Sequence, residues 1–207
     1  MVMITIVDYG TSNLGSMQNM LKKVGAASKI AATPDDLRDA EKIIVPGVGS
    51  FDAGMHKLLQ SGMIPLLNAK VLAERIPTLG VCLGMQLMTA GSEEGELPGL
   101  GWIAARTLRF DQRSDPGLKV PHMGWNQVST TRNSALMAEF PPEPRFYFAH
   151  SFYVSCESPE DILLEASYGA GKFTAAFQRD NLMGAQFHPE KSHRFGMTFL
   201  RNFVERF

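Results

Sequence analysis

The stretch Ile76-Pro77-Thr78-Leu79-Gly80-Val81-Cys82-Leu83-Gly84-Met85-Gln86 constrains this chain more than any other. A short apolar run of strand type passes into a turn whose glycines flank one cysteine, and a helical pattern follows at once. That is the shape of a nucleophile elbow, with sulfur in place of serine oxygen. The turn holds the Cys82 side chain at the strand's end, above the sheet and at a helix N-terminus. There the backbone N–H groups and the helix dipole favour thiolate over thiol. A lone cysteine is ordinarily an inert small hydrophobe; the glycines on both sides point to chemistry instead.

The surrounding sequence alternates strand and helix patterns. Apolar runs at 4–7, 29–32, 43–45 and 78–81 read as strands, and helical patterns follow over 14–24, 37–40, 52–60 and 83–90. Thr33-Pro34-Asp35-Asp36 is a helix start, with a capping hydroxyl, proline in the first turn and acidic residues behind it. Such alternation predicts a parallel sheet covered by helices on both faces. Residues 101–155 differ in kind: β-type runs at 102–108, 126–129 and 145–148, split by Pro and Gly, predict an antiparallel extension. Runs at 173–177 and 183–187 read as a hairpin about Asp180-Asn181. Phe195, Phe199, Phe203 and Phe207 repeat every four residues, the core stripe of a last helix. The fold class expected is therefore three-layer α/β, a mostly parallel sheet with an antiparallel extension, and no linker divides residues 1–207 into more than one domain.

A cysteine nucleophile needs a base, and the base needs an orienting group. Gln186-Phe187-His188-Pro189-Glu190-Lys191-Ser192 offers both. Proline pushes the residue before it towards extended geometry, so His188 and Glu190 are expected to leave the backbone in similar directions. The carboxylate then lies near one imidazole nitrogen, and the other nitrogen can face Cys82.

Gly-Val-Cys-Leu-Gly-Met-Gln together with Gln-Phe-His-Pro-Glu-Lys-Ser resembles the triad (class I) glutamine amidotransferases. Asp8-Tyr9-Gly10 with Asn13-Leu14, Pro46-Gly47-Val48-Gly49-Ser50-Phe51, and Pro121-His122-Met123-Gly124-Trp125-Asn126 narrow the resemblance to the glutaminase subunits of imidazole glycerol phosphate synthase. Ser12, where that pattern has glycine, and Gly15, where it often has arginine, depart from it.

The resemblance implies a chemistry for each matched position. Cys82 attacks the carboxamide of L-glutamine, His188 serves as acid and then base, and Glu190 holds the imidazole. The oxyanion donors are the Leu83 N–H, one residue past the nucleophile, and an N–H at Val48 or Gly49, where glycines let a peptide turn. Gln86, Glu94, Ser151 and Phe152 contact the substrate. Asn13, Met123, Trp125 and Lys191 face a (β/α)8-barrel cyclase in a heterodimer that makes imidazole glycerol phosphate and AICAR. His122, His56 and Cys156 are read as structural, and His193 as facing solvent.

Composition bounds the alternatives. A net charge of −1 and the lack of a long basic run give no sign of a nucleic-acid or membrane partner. The first residues read as a strand, not a signal peptide, and no stretch reaches the roughly 18 apolar residues of a membrane helix. Two cysteines make no disulfide framework, and a working thiolate requires a reducing compartment, so a cytosolic location is expected. No dinucleotide loop, Walker pattern or zinc-ligand spacing appears, so neither cofactor nor metal is expected. A standalone cysteine hydrolase or peptidase, a non-catalytic regulatory subunit, and an anthranilate- or guanylate-type glutaminase subunit are the competing readings.

Overall fold

The computed structural model describes residues 3–11, 14–113 and 115–207. Its first half runs β1 (Met3–Val7), α1 (Leu14–Lys23), β2 (Ala27–Ala31), β3 (Lys42–Gly47), α2 (Phe51–Gln60), α3 (Ile64–Asn68), β4 (Thr78–Cys82) and α4 (Leu83–Leu87). The second half is mostly strand: β5 (Ala105–Arg109), β6 (His122–Gln127), β7 (Ser129–Thr130), β8 (Arg145–His150), β9 (Phe152–Cys156), β10 (Ile162–Tyr168), β11 (Gly171–Arg179) and β12 (Leu182–Ala185), closed by α5 (His193–Arg206).

The main sheet has the order β2-β1-β3-β4-β12-β11-β10-β7, with β9 pairing β11 and β5 pairing β9. From β2 to β12 the pairing is parallel; from β12 onward it is antiparallel. β6 and β8 form a separate antiparallel ribbon. Every residue of β3, β4 and β12 is buried, as strands covered by helices on both faces must be. One face packs Ile4, Ile6, Ile44 and Leu79 against Met17 and Leu21 of α1 and the Phe195, Phe199 and Phe203 stripe of α5. The other packs Val7, Ile43 and Val45 against Phe51 and Met55 of α2 and Leu83 and Leu87 of α4. The fold is the expected three-layer α/β arrangement with its antiparallel extension.

Local readings needed correction in several places. Over 37–40 there is no helix: a 3-10 turn spans Pro34–Leu37, where Asp36 Oδ2 accepts from the Thr33 N–H (2.9 Å) and hydroxyl (2.7 Å). Only Arg38 to Glu41 then separates that turn from β3, too little chain for further helical turns. The helix expected over 83–90 stops at Leu87, because the Thr89 hydroxyl takes the Gln86 carbonyl and the Ala90 N–H pairs with Ala105 O. α3, its π-helical continuation Ala69–Ala73, and strands β9 and β10 were not anticipated.

Candidate active site

Cys82 is the last residue of β4, and α4 begins at the next residue. Its backbone sits at φ 52° and ψ −110°, a region L-residues rarely occupy and one that stores about 1–3 kcal/mol of strain. The flanking glycines permit that turn by close approach. A Cβ on Gly84 would lie 1.8 Å from the Val45 carbonyl oxygen, and one on Gly80 would lie 2.6 Å from Met88 Sδ and 2.8 Å from Gly84 O. The start of α4 therefore rests directly on the backbone of β3. The Cys82 side chain is buried, and its sulfur accepts a hydrogen bond from Gln186 Nε2 at 3.8 Å.

His188 arrives from the neighbouring strand. Past the end of β12 the His188 N–H donates to Tyr147 O at 2.9 Å, and Pro189–Lys191 form a 3-10 turn. Ser192 locks that turn: its hydroxyl donates to His188 O at 2.6 Å and accepts from the Tyr147 N–H at 3.0 Å. Glu190 Oε1 then lies 2.8 Å from His188 Nδ1, and Cys82 is near enough to the same imidazole to raise its pKa. Burial opposes a charge on His188, yet the neighbouring Cys82 sulfur and Glu190 carboxylate outweigh it and push the pKa up to about 10. His188 is thus poised as an imidazolium between sulfur and carboxylate. The second carboxylate oxygen, Glu190 Oε2, is buried with no hydrogen-bond partner among the described residues.

A cavity of about 220 Å³ opens over the sulfur. It is lined by Val48, Gly49, Cys82, Leu83, Gln86, Glu94, Pro121, Met123 and residues 149–152. The expected oxyanion and substrate residues therefore do converge on one pocket, though three of them are engaged with other protein groups. The Val48 N–H donates to Thr11 O at 2.8 Å, so in this structure it is not a free donor beside Cys82; Leu83, first in α4, has an N–H without an intrahelical acceptor. Glu94 Oε2 accepts from the Phe51 N–H at 2.8 Å and so caps α2. Both Gln86 amide hydrogens go to protein acceptors, Phe152 O and Gln186 Oε1, each at 3.1 Å. Its Oε1 remains, which can only accept. Among the described residues, no group of three or more His, Cys, Asp or Glu side chains could hold a metal ion.

A model of the class I glutamine amidotransferase family matches residues 5–207. Imidazole glycerol phosphate synthase subunit HisH 2 of Pseudomonas aeruginosa is 52% identical over 203 residues, 98% of this chain and 99% of that one. The HisH 2 subunit of Methanococcus maripaludis is 48% identical over 204 residues, 99% of this chain and all of its own length. The chain belongs to the HisH group of class I glutamine amidotransferases. In fold it matches a solved glutamine amidotransferase (TM-score 0.75, 17% identity, 97% of each chain). It also matches PurLQS from Thermotoga maritima (TM-score 0.74, 18% identity, 99% of this chain and 98% of the other). As a HisH amidotransferase it is a glutaminase-type enzyme subunit.

Of the expected docking positions, Met123 lines the pocket and Trp125 and Lys191 do not. Met123 and Trp125 are 65% and 45% exposed, and Trp125 stacks on the exposed His193 ring at 5.5 Å between centroids. Exposed Lys191 places Nζ 5.8 Å from the Tyr147 ring centroid. Asn13 and Ser12 lie outside the described residues. Cys156 is half-buried, and burial, with Asp161 nearby, pushes its thiol up to about 12. Sequence reasoning missed Gln186 as a neighbour of the sulfur. Its signal was position, two residues before His188 on an extended segment and so on the same side of the strand.

Proposed function

We propose that this chain hydrolyses L-glutamine to glutamate and ammonia through a thioester on Cys82, and delivers the ammonia to a barrel-type cyclase partner. The observation that carries the reading is a strained cysteine beneath a small pocket, beside an imidazole whose pKa it raises and which a carboxylate holds at 2.8 Å. Sulfur attacks the carboxamide carbon, and negative charge develops on the former carbonyl oxygen. Leu83 N–H is the first donor to it. The second is supplied by Gly49, or by Val48 once its N–H leaves Thr11 O. His188 gives its proton to the departing ammonia, leaving the glutamyl thioester. The neutral imidazole then takes a proton from water as it attacks the thioester, and returns that proton to the sulfur or stays an imidazolium as glutamate leaves. Glu190 fixes the tautomer throughout.

Asn13, Met123, Trp125 and Lys191 are proposed as the docking face, and Gln86, Glu94, Ser151 and Phe152 as substrate contacts. Exposure of Met123 in the pocket lining, with exposed Trp125 two residues on in the same strand, supports that orientation. The test is glutamate release from glutamine and from unrelated small amides and peptides, with and without the cyclase. Hydrolysis confined to glutamine and stimulated by the partner supports the reading. Equal turnover of unrelated amides would establish a standalone hydrolase instead.

A further inference from the structure

Two buried histidines lie outside the triad and join it through one unbroken chain of hydrogen bonds. Asn126 Nδ2 lies 2.8 Å from Ser167 O and 3.3 Å from His122 Nε2. His122 Nδ1 lies 3.1 Å from His150 Nε2, and His150 Nδ1 lies 2.7 Å from Phe152 O. Phe152 O also accepts from Gln86, Gln86 donates to Gln186, and Gln186 donates to the Cys82 sulfur.

One proton arrangement satisfies every link. The Phe152 carbonyl can only accept, so His150 carries its hydrogen on Nδ1 and accepts at Nε2. His122 must then donate from Nδ1 and accept the Asn126 amide at Nε2. A second proton on either ring would set N–H against N–H. Burial independently disfavours that charge, holding His122 down to about 4 and His150 to about 3. The rings have little freedom to turn: His122 stacks on Phe148 at 4.9 Å, and Phe110 and Phe173 close on His150 at 5.4 and 5.2 Å between centroids.

We propose that His122 and His150 are positioning residues for the substrate: by fixing the Phe152 carbonyl from behind, they set both Gln86 and the 149–152 wall of the pocket. This rests on the reading of the pocket as a glutamine site. Neither ring need touch the ligand. Their effect is on how well the pocket fits it, so losing the chain weakens glutamine binding while leaving the Cys82–His188 pair reactive.

The test uses the full chain and alkylation of Cys82 by iodoacetamide, with glutamine as protectant, which reports binding without requiring turnover. In His122→Leu, Cys82 should alkylate within about twofold of the wild-type rate while the glutamine concentration for half-protection rises about tenfold, the loss of one oriented buried hydrogen bond. His122→Asn, whose amide can donate from near the Nδ1 position, should stay within about threefold of wild type. Asn126→Ala, at the half-buried outer end, provides a milder break should His122→Leu fail to fold, with an expected rise of about threefold. A purely structural role would lower the amount of alkylatable protein and leave half-protection unchanged. An unchanged value in the foldable breaking variant, or His122→Asn no better than His122→Leu, overturns the proposal. Absence of glutamine protection in the wild-type chain would overturn the glutamine reading itself, and this proposal with it.

Discussion

Cys82 combines a positive φ with a side chain that the proposed chemistry cannot spare. Cys82→Ala should remove glutamine hydrolysis to below a few per cent of wild type while leaving the circular dichroism spectrum and partner binding in place. Replacing the same residue with glycine separates strain from packing. Cys82→Gly should be more stable than Cys82→Ala by about 1 kcal/mol in denaturant midpoints, because only glycine adopts this backbone without penalty. His188 carries a pH signature. Its folded pKa is raised to about 10 from an ordinary 6.5, so its pairing contributes fully below about pH 6.5 and is lost as pH rises towards 10. The urea midpoint should therefore fall between pH 7 and 10, and fall less in Glu190→Gln. A steeper fall in the variant would contradict the pairing. Cys82, His188 and Glu190 were legible because glycine and proline mark their backbone geometry in the sequence. The hydrogen bond from Val48 to Thr11 was not, since which way a glycine-flanked peptide turns depends on a strand end far away in the chain.

At the scale of elements, the site depends on how closely α4 sits on β3. Gly84→Ala should destabilise the chain by about 3 kcal/mol or more, since a Cβ at 1.8 Å from Val45 O can be relieved only by moving backbone. The corresponding fall in melting temperature is about 6–12 °C for a chain of this size. A change under 2 °C would mean that the helix start can slide. Periodicity made the parallel strands and the phenylalanine stripe of α5 readable. It failed where a single polar side chain ended an element, as Thr89 does for α4, and where strands of the antiparallel extension such as β9 and β10 carry mixed polar and apolar residues on half-buried faces. α3 carries its own mark in the sequence, proline near its first position ahead of the buried Leu67 and Val71.

The whole molecule gathers its site from segments far apart in sequence: the ends of β3 and β4, the turn beyond β12, and the 149–152 wall between β8 and β9. In an open α/β sheet, ligands bind beyond the carboxyl ends of the strands, and this pocket obeys that geometry. Met123 on β6 lines it, exposed Trp125 follows two residues on in the same strand, and exposed Lys191 follows Glu190, so on the proposed reading a partner covering the pocket touches them. Lys191→Ala should weaken association with the cyclase about fivefold, within the range for an exposed cation joining an interface, and leave Cys82 alkylation unchanged. Loss of alkylation instead would place Lys191 in the chemistry. Partner addition should raise the glutaminase rate strongly, and equal rates with and without it would contradict the coupling. On the proposed reading docking frees the Val48 N–H from Thr11 O, and the free and docked states then differ chemically at one sulfur. A haloacetamide displaces its halide directly and asks nothing of the oxyanion donors, whereas a glutamine-like electrophile that must pass through a tetrahedral adduct needs both of them. The ratio of the two labelling rates would then report occupancy of the docked state in a mixture, with no product measured at all.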